Sequence, residues 1–580
     1  MAEAKKLNPA EAAAEKALAS MFDCIKRCRN FRLEAGAGAG KTYSLVKALR
    51  YVIDKRGRDL SRGEQQVACI TYTNIAKDQI SDQVDGHPAV HSSTIHSFCW
   101  TLMSSFQPYL RKTVPQLSKW PERLEEIGGI GNRAIIYDLG HARARLEDDC
   151  IYLGHNDVLN LMVQIMEEEK FRNILQSRFP IILIDEYQDT NADFACSLVQ
   201  HFVAKNKGPL IGLFGDAWQK IYGDGAGLVD HPNFEVIGKE ANFRSAKPIV
   251  DVLNRMRPDL PQHVKDPDSK GTVVVYQTNT WKGQRQKGQH WGGDLPTDVA
   301  SNYQDRVIQM LSDTGWDFAP DKTKTLMLTH NVLAAKQGYS GIAKSFRYND
   351  SFVKKESADI KFLVEIIEPV SRAFEVCSYG EMFSLLGNPS LNIHSLDDKK
   401  ARTGQLTRLI ELRRSGSIGD VITYLSETGF PPPPEAVVTV ENRLRTASEE
   451  EIKESRTLSE ARSLRACPYT ELIALADYID ERTPFHTKHG VKGAEFENVL
   501  VVFGRGWNHY NWNDFLEWEK NGIPSGKVQA YERNRNLFYV ACSRPKTNLA
   551  LLFTQELSVD ALQQLGEWFG TSNVKSLDGI

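Results

Sequence analysis

The chain has 580 residues, with 71 Lys plus Arg against 74 Asp plus Glu, a net charge of −3 and 41% hydrophobic residues. At about 150 residues per domain there is room for about four domains with ordinary cores, which excludes a largely disordered chain. The near-neutral balance excludes a globally basic nucleic-acid coat, so any positive surface must be local, inside a cleft.

The first residues, Met1-Ala-Glu-Ala-Lys-Lys6, carry no apolar signal segment. Short apolar runs then recur between helix-like stretches: Phe31–Ala35, Val67–Thr71, Ile181–Ile184, Leu210–Phe214, Thr272–Tyr276, Thr325–Thr329, Asn498–Phe503 and Asn548–Phe553. Such runs are expected of strands buried on both faces, and several lead through a turn into a helical pattern. The expectation is an α/β protein with parallel sheets and ligands at the carboxyl ends of strands. Residues 100–178 read as mainly helical and charged, with a cluster at Gly128, Gly129 and Gly131. Residues 346–468 also read as helical, interrupted by Pro431–Pro434, a run that stiffens into a polyproline spacer. Glu441–Arg465 reads as either a solvated helix or a mobile segment. No apolar run is long enough for a bilayer span. Of the nine cysteines, scattered from Cys24 to Cys542, only Cys24 and Cys28 are close, and no second pair lies at zinc-ligand spacing. They read as reduced thiols, and the protein as cytoplasmic, with no membrane partner.

The sharpest local feature is Ala35-Gly-Ala-Gly-Ala-Gly-Lys-Thr42, between the first strand and an amphipathic helix from Tyr43. Apart from Ala35 in place of the first glycine, it is a P-loop. Gly36, Gly38 and Gly40 let backbone N–H groups curl around phosphate oxygens at the positive end of the following helix. Lys41 would reach the β/γ-phosphates of ATP, and Thr42 would place its hydroxyl on Mg²⁺. The second carboxylate strand is Ile181-Ile-Leu-Ile-Asp-Glu186. Asp185 sits where a metal-holding carboxylate belongs, and Glu186 where one would polarise the attacking water.

Asp185-Glu-Tyr-Gln-Asp-Thr-Asn191 resembles a motif of the UvrD/Rep/PcrA group of superfamily 1 helicases. The other motifs of that group follow in order: Thr71-Tyr-Thr-Asn74 with Ala76, Thr94-Ile-His-Ser-Phe98, Gly215-Asp-Ala-Trp-Gln-Lys-Ile-Tyr222, Asn242-Phe-Arg-Ser245, Thr487-Lys-His-Gly-Val-Lys-Gly-Ala-Glu-Phe496 and Arg535-Asn-Leu-Phe-Tyr-Val-Ala-Cys-Ser-Arg-Pro545. The resemblance implies two RecA-like P-loop lobes with two mainly helical inserted subdomains. The first lobe would comprise residues 1–99 and 179–240, with an insert at 100–178. The second lobe would comprise 241–345 and 469–580, with an insert at 346–468. It further implies that Gln219 senses the γ-phosphate and attacking water, that Arg244 and Arg544 act as arginine fingers from the second lobe, and that Glu495 contacts the ribose. Tyr72, Asn74, His96 and His489 are implied DNA contacts. The implied activity is ATP-driven 3′–5′ movement on single-stranded DNA, with unwinding of tailed duplexes.

The sequence departs from the group in three ways. Leu7-Asn-Pro-Ala-Glu11 lacks the glutamine that reads adenine in the group, which leaves base selectivity open. Gly223-Asp-Gly-Ala226 stands where an aromatic-Arg-Gly-Ala stacks DNA, leaving Tyr222 and Trp218 as the nearby stacking candidates. Both inserts are short, and an appended nuclease domain is not expected. These departures keep open a DNA-activated ATPase that loads or regulates a separate nuclease, as in phage-defence systems. A metabolic P-loop kinase would explain only the phosphate loop.

Overall fold

The computed structural model describes residues 7–138, 144–221, 223–288, 290–327, 330–387, 395–480, 482–487, 494–505 and 510–577. The chain forms two compact units. The first comprises residues 1–274, 513–549 and 558–574; the second comprises 275–512, 550–557 and 575–580.

The first unit is built on strands β1 (Phe31–Ala35), β2 (Val67–Thr71), β3 (Val90–Thr94), β7 (Ile181–Asp185), β8 (Leu210–Gly215) and β9 (Glu235–Lys239). They form one sheet in the order β3-β2-β7-β8-β1-β9, with every neighbouring pair parallel. The order places β1 next to β8, and β8 next to β7, so the three loops that follow these strands open on one edge. β1, β2, β7 and β8 are buried along their whole lengths, as strands covered by helices on both faces should be. Helix α1 (Pro9–Lys26) starts with a reciprocal cap: Asn8 accepts from the Glu11 N–H at 2.9 Å, and Glu11 accepts from the Asn8 N–H at 3.1 Å. Helix α2 (Lys41–Arg62) follows the phosphate loop directly.

Two expectations about this unit need correction. β1 is not a purely apolar strand, because Arg32 and Glu34 are buried within it, 6% and 7% exposed. Residues 100–178 also hold a small sheet of β4 (Ala134–Ile136), β5 (Arg145–Leu146) and β6 (Cys150–Tyr152), in the order β4-β6-β5, among their helices. Strands of two or three residues are too short to show an alternating pattern in sequence.

A second sheet runs in the order β14-β13-β15-β16-β12-β17. Its strands are β12 (Thr272–Gln277), β13 (Thr323–Met327), β14 (Phe485–Thr487), β15 (Phe496–Phe503), β16 (Pro545–Phe553) and β17 (Val574–Ser576). β13 pairs in parallel with both β14 and β15. Most of the second unit between β13 and β14 is helical, from Ser340–Ser345 to Tyr469–Ile479, and has its own apolar core. Glu441–Arg465 falls on three helices, Glu435–Thr446, Glu449–Glu454 and Arg456–Arg465, rather than on an open segment. Glu441 is buried there in an ion pair with Arg465. Pro434 caps the first of these helices. Among the described residues, no helix is long and apolar enough to cross a membrane.

Candidate nucleotide site

The phosphate loop bends as its glycines require. Gly38 and Gly40 sit at φ +74° and +72°, a region that side-chain-bearing residues rarely enter. A Cβ on Gly38 would lie 2.8 Å from both Arg244 Cβ and Asn242 Oδ1, so only glycine allows this approach. Residues far along the chain close over the loop. Asn242 Nδ2 donates to the Ala37 carbonyl at 3.2 Å, Gln262 Nε2 donates to the same carbonyl at 3.0 Å, and the Phe243 N–H donates to the Gly38 carbonyl at 2.9 Å. Lys239, fully buried, donates to the Gly40 carbonyl at 2.9 Å and to Ser44 Oγ at 2.7 Å. Burial alone pulls its ammonium down to about 8.

Asp185 ends β7, 5% exposed. Glu186 follows at φ +47°, a strained backbone for a glutamate and one that recurs at functional turns. Lys41 Nζ lies 3.2 Å from Glu186 Oε2. Gln188, fully buried, donates to the same carboxylate, and its Oε1 accepts from the Asp216 N–H at 3.0 Å. Gly215 makes room for this arrangement, since a Cβ there would collide with Gln188 and Tyr187.

Asp216, at the end of β8, is fully buried. It accepts from the Trp218 N–H at 3.0 Å and from Gln219 Nε2 at 2.8 Å. Gln219 Oε1 in turn accepts from Arg544 Nη2 at 3.4 Å. Arg544 is 1% exposed, on the segment after helix Val528–Cys542, and also donates to the Val540 carbonyl at 3.0 Å and to Ser543 Oγ at 3.2 Å. Burial, then the like charge of Arg244, pulls its guanidinium down to about 9, against the attraction of Glu186. Arg244 donates to the Ser543 carbonyl at 3.0 Å. Lys41, Thr42, Asp185, Glu186, Gln219, Arg244 and Arg544 therefore all belong to the first compact unit.

The expected DNA contacts are placed less uniformly. Tyr72 and Asn74 are exposed where β2 passes into helix α3 (Asn74–Gln83), with Ile75 beside them. His96 is half-buried on helix α4 (Ile95–Met103), its ring 4.5 Å from that of His155. Burial, then His155, lowers His96 to about 4, so it is a neutral ring at ordinary pH. The Trp218 ring is covered by two guanidiniums, with Arg535 at 4.2 Å and Arg257 at 5.1 Å from its centroid. Glu495 is exposed, just before β15 in the second unit. Tyr222 and His489 lie outside the described residues.

Sequence reasoning missed the polar layer beneath the loop. Tyr187 donates to Glu34, Arg32 Nε lies 2.8 Å from the same carboxylate, and Arg257 Nη1 lies 2.5 Å from Asp216. Burial pushes the Glu34 carboxyl up, although Tyr187, Arg32 and Arg257 pull the other way. The available signal was the pair of charges, Arg32 and Glu34, inside a strand whose other residues are apolar.

This geometry has counterparts in known proteins. A family model described as an AAA domain matches residues 23–224, which contain the phosphate loop, both carboxylates and Gln219. Gabija protein GajB of Bacillus cereus is 23% identical over an alignment covering 96% of this chain and 97% of that protein. The ATP-dependent DNA helicase PcrA of Staphylococcus aureus is 27% identical over 277 residues, covering 38% of this chain and 37% of that protein. RecBCD enzyme subunit RecB of Buchnera aphidicola is 33% identical over 117 residues, covering 19% of this chain and 10% of that protein. With its phosphate loop, paired carboxylates and helicase relatives taken together, the chain is similar to the UvrD/PcrA-like helicases.

Proposed function

We propose that the protein is an ATP-dependent 3′–5′ DNA translocase and helicase whose site residues are Lys41, Thr42, Asp185, Glu186, Gln219, Arg244 and Arg544. The observation that carries the reading is the convergence of Lys41 on Glu186 and of Arg544 on Gln219 beside one phosphate loop. In this reading Lys41 exchanges the Glu186 carboxylate for the β/γ-phosphates. Glu186 would then accept a proton from the attacking water, and the Arg544 and Arg244 guanidiniums would stabilise charge gathering on the transferred phosphoryl oxygens. Thr42 and Asp185 would hold Mg²⁺, which when bound neutralises phosphate charge. Asp185 at the buried end of β7 and Thr42 on the first turn of α2 fit that duty.

Glu495 is the proposed ribose contact, and the missing glutamine leaves base selectivity open. Tyr72 and Asn74, both exposed, are the proposed strand contacts; Tyr72 stacking would contribute about 1–3 kcal/mol per base. The lobes would be the two-part ones described for the sequence, opening and closing with hydrolysis.

A second reading is a cytoplasmic DNA-activated ATPase in antiviral defence that regulates or loads a partner nuclease; its defence part is supported by the alignment across 97% of GajB, against 37% of PcrA. One experiment separates the two. ATPase is measured with and without single-stranded DNA, then strand displacement on duplexes with a 3′ or a 5′ tail. Displacement confined to the 3′ tail supports the helicase. DNA-stimulated ATPase without displacement supports the nuclease-associated ATPase, and no DNA stimulation defeats both.

A further inference from the structure

The polar layer beneath the phosphate loop contains a buried cation that the family resemblance does not assign, Arg257. It ends helix Lys247–Met256, its N–H donating to the Leu253 carbonyl at 2.9 Å, and it is 4% exposed. Nη1 donates to Asp216 Oδ1 at 2.5 Å, and Nη2 lies 3.8 Å from Glu34 Oε2. Its guanidinium carbon lies 5.1 Å from the Trp218 centroid and 5.9 Å from that of Tyr539.

The consequence runs through Asp216 to Gln219. An ionised carboxylate only accepts hydrogen bonds and a guanidinium only donates them. With the Asp216 carboxylate, held by Arg257, on one side and the Arg544 guanidinium on the other, the Gln219 carboxamide is set with Nε2 toward Asp216 and Oε1 toward Arg544. Arg257 also anchors the Asp216 carboxylate through Oδ1, so that Oδ2 faces Gln219; without that anchor the carboxylate can turn and the carboxamide loses the partner that orients it.

We propose that Arg257 is a positioning residue for nucleotide hydrolysis: by holding Asp216 as an acceptor it fixes the Gln219 carbonyl toward Arg544. The inference rests on the hydrolytic reading of Gln219 and Arg544 given above. It assigns to Arg257 no contact with substrate, so the effect is on turnover rather than on nucleotide affinity.

The test is a double-mutant cycle on the full chain, reading kcat and KM for ATP at saturating single-stranded DNA, with the thermal midpoint of each variant. Arg257→Gln is expected to lower kcat about 10- to 100-fold, as loss of an outer supporting partner does, with KM within about threefold. Gln219→Ala is expected to fall comparably, and Arg257→Gln combined with Gln219→Ala to be no slower than Gln219→Ala alone. Arg257→Lys, which keeps the charge, should recover most of the turnover. If Arg257→Gln melts early, Arg257→Lys is carried through the same cycle: a loss that vanishes in the Gln219→Ala background supports the assignment. Multiplied losses in the double variant overturn it, as does a rise in KM at constant kcat. Unchanged turnover in Gln219→Ala overturns the reading of the site itself, a different result from an additive cycle around an active Gln219.

Discussion

Two arginines, each buried to 3% exposure or less, are held in opposite ways. Arg413, in the helical part of the second unit, forks onto Glu368 with Nε and Nη2 at 2.8 and 2.7 Å and reaches Glu375 with Nη1 at 3.1 Å. Burial works against its charge, but the carboxylates more than compensate and hold it above the ordinary arginine range. Arg544, in the first unit, sends three of its bonds to neutral acceptors, on Val540, Ser543 and Gln219, and sits beside the like charge of Arg244. Burial wins there, and the charged form is disfavoured. A cation neutralised locally has its electrostatics completed by the fold. A cation kept dry at such a cost gains most from an arriving anion, because attraction in a dry site is far stronger than in water.

The largest expected effect tests the poised member of the pair. Arg544→Ala should lower kcat by about 10³-fold or more, with nucleotide affinity nearly unchanged, because the side chain acts on transition-state charge. Arg244→Ala should fall in the same direction by about 10²–10³-fold. Arg544→Ala should not lose stability, since relieving a disfavoured buried charge offsets the lost contacts. Steady-state ATPase with a parallel urea titration checks both halves; an Arg544→Ala protein that turns over normally, or that loses only affinity, erases the contrast.

The matching change at the compensated member has the opposite signature. Arg413→Met leaves Glu368, 1% exposed, without its fork, so destabilisation of about 3–5 kcal/mol is expected. ATPase per folded molecule should stay at the wild-type level. A drop in urea midpoint without a change in specific activity sharpens the comparison; lost activity in a stable protein would place Arg413 among the functional cations.

The sequence conveyed the parts of the site that local pattern dictates. The phosphate loop has its glycines at fixed spacing before a helix, and Asp185 and Glu186 end an apolar strand, so chemistry and register are both written within ten residues. The inner strands of both sheets were legible as apolar runs because strands covered on both faces demand them, whereas the edge strands β3, β9, β14 and β17 carried no such run. What remained hidden depends on partners far apart in the chain. Arg257 and Asp216 are separated by 41 positions, and Gln219 and Arg544 by 325. Nothing near Trp218 announces that Arg535 will cover its ring. The small sheet between Ala134 and Tyr152 escaped because its strands are too short to carry a period.

The smallest effect concerns a buried charge in the helical region that has no such compensation. Asp359 is 5% exposed on helix Ala358–Phe362, and its Oδ1 has no hydrogen-bond partner. Burial, then Glu441, raises its carboxyl from 3.8 to about 6, with Arg465 pulling weakly the other way. Between these two values the folded chain binds more protons than the unfolded one, so stability falls as pH rises. The favourable share is complete below about 3.8 and is lost as pH passes through about 6. Asp359→Asn removes the ionisation while keeping the shape. It should therefore match the wild type near pH 4 and exceed it near pH 8 by about 1–3 kcal/mol, a difference read from urea midpoints at the two pH values. If the two proteins differ by the same amount at both, the carboxylate is compensated after all. Asp359 would then belong with Arg413, whose charge the fold completes, rather than with Arg544.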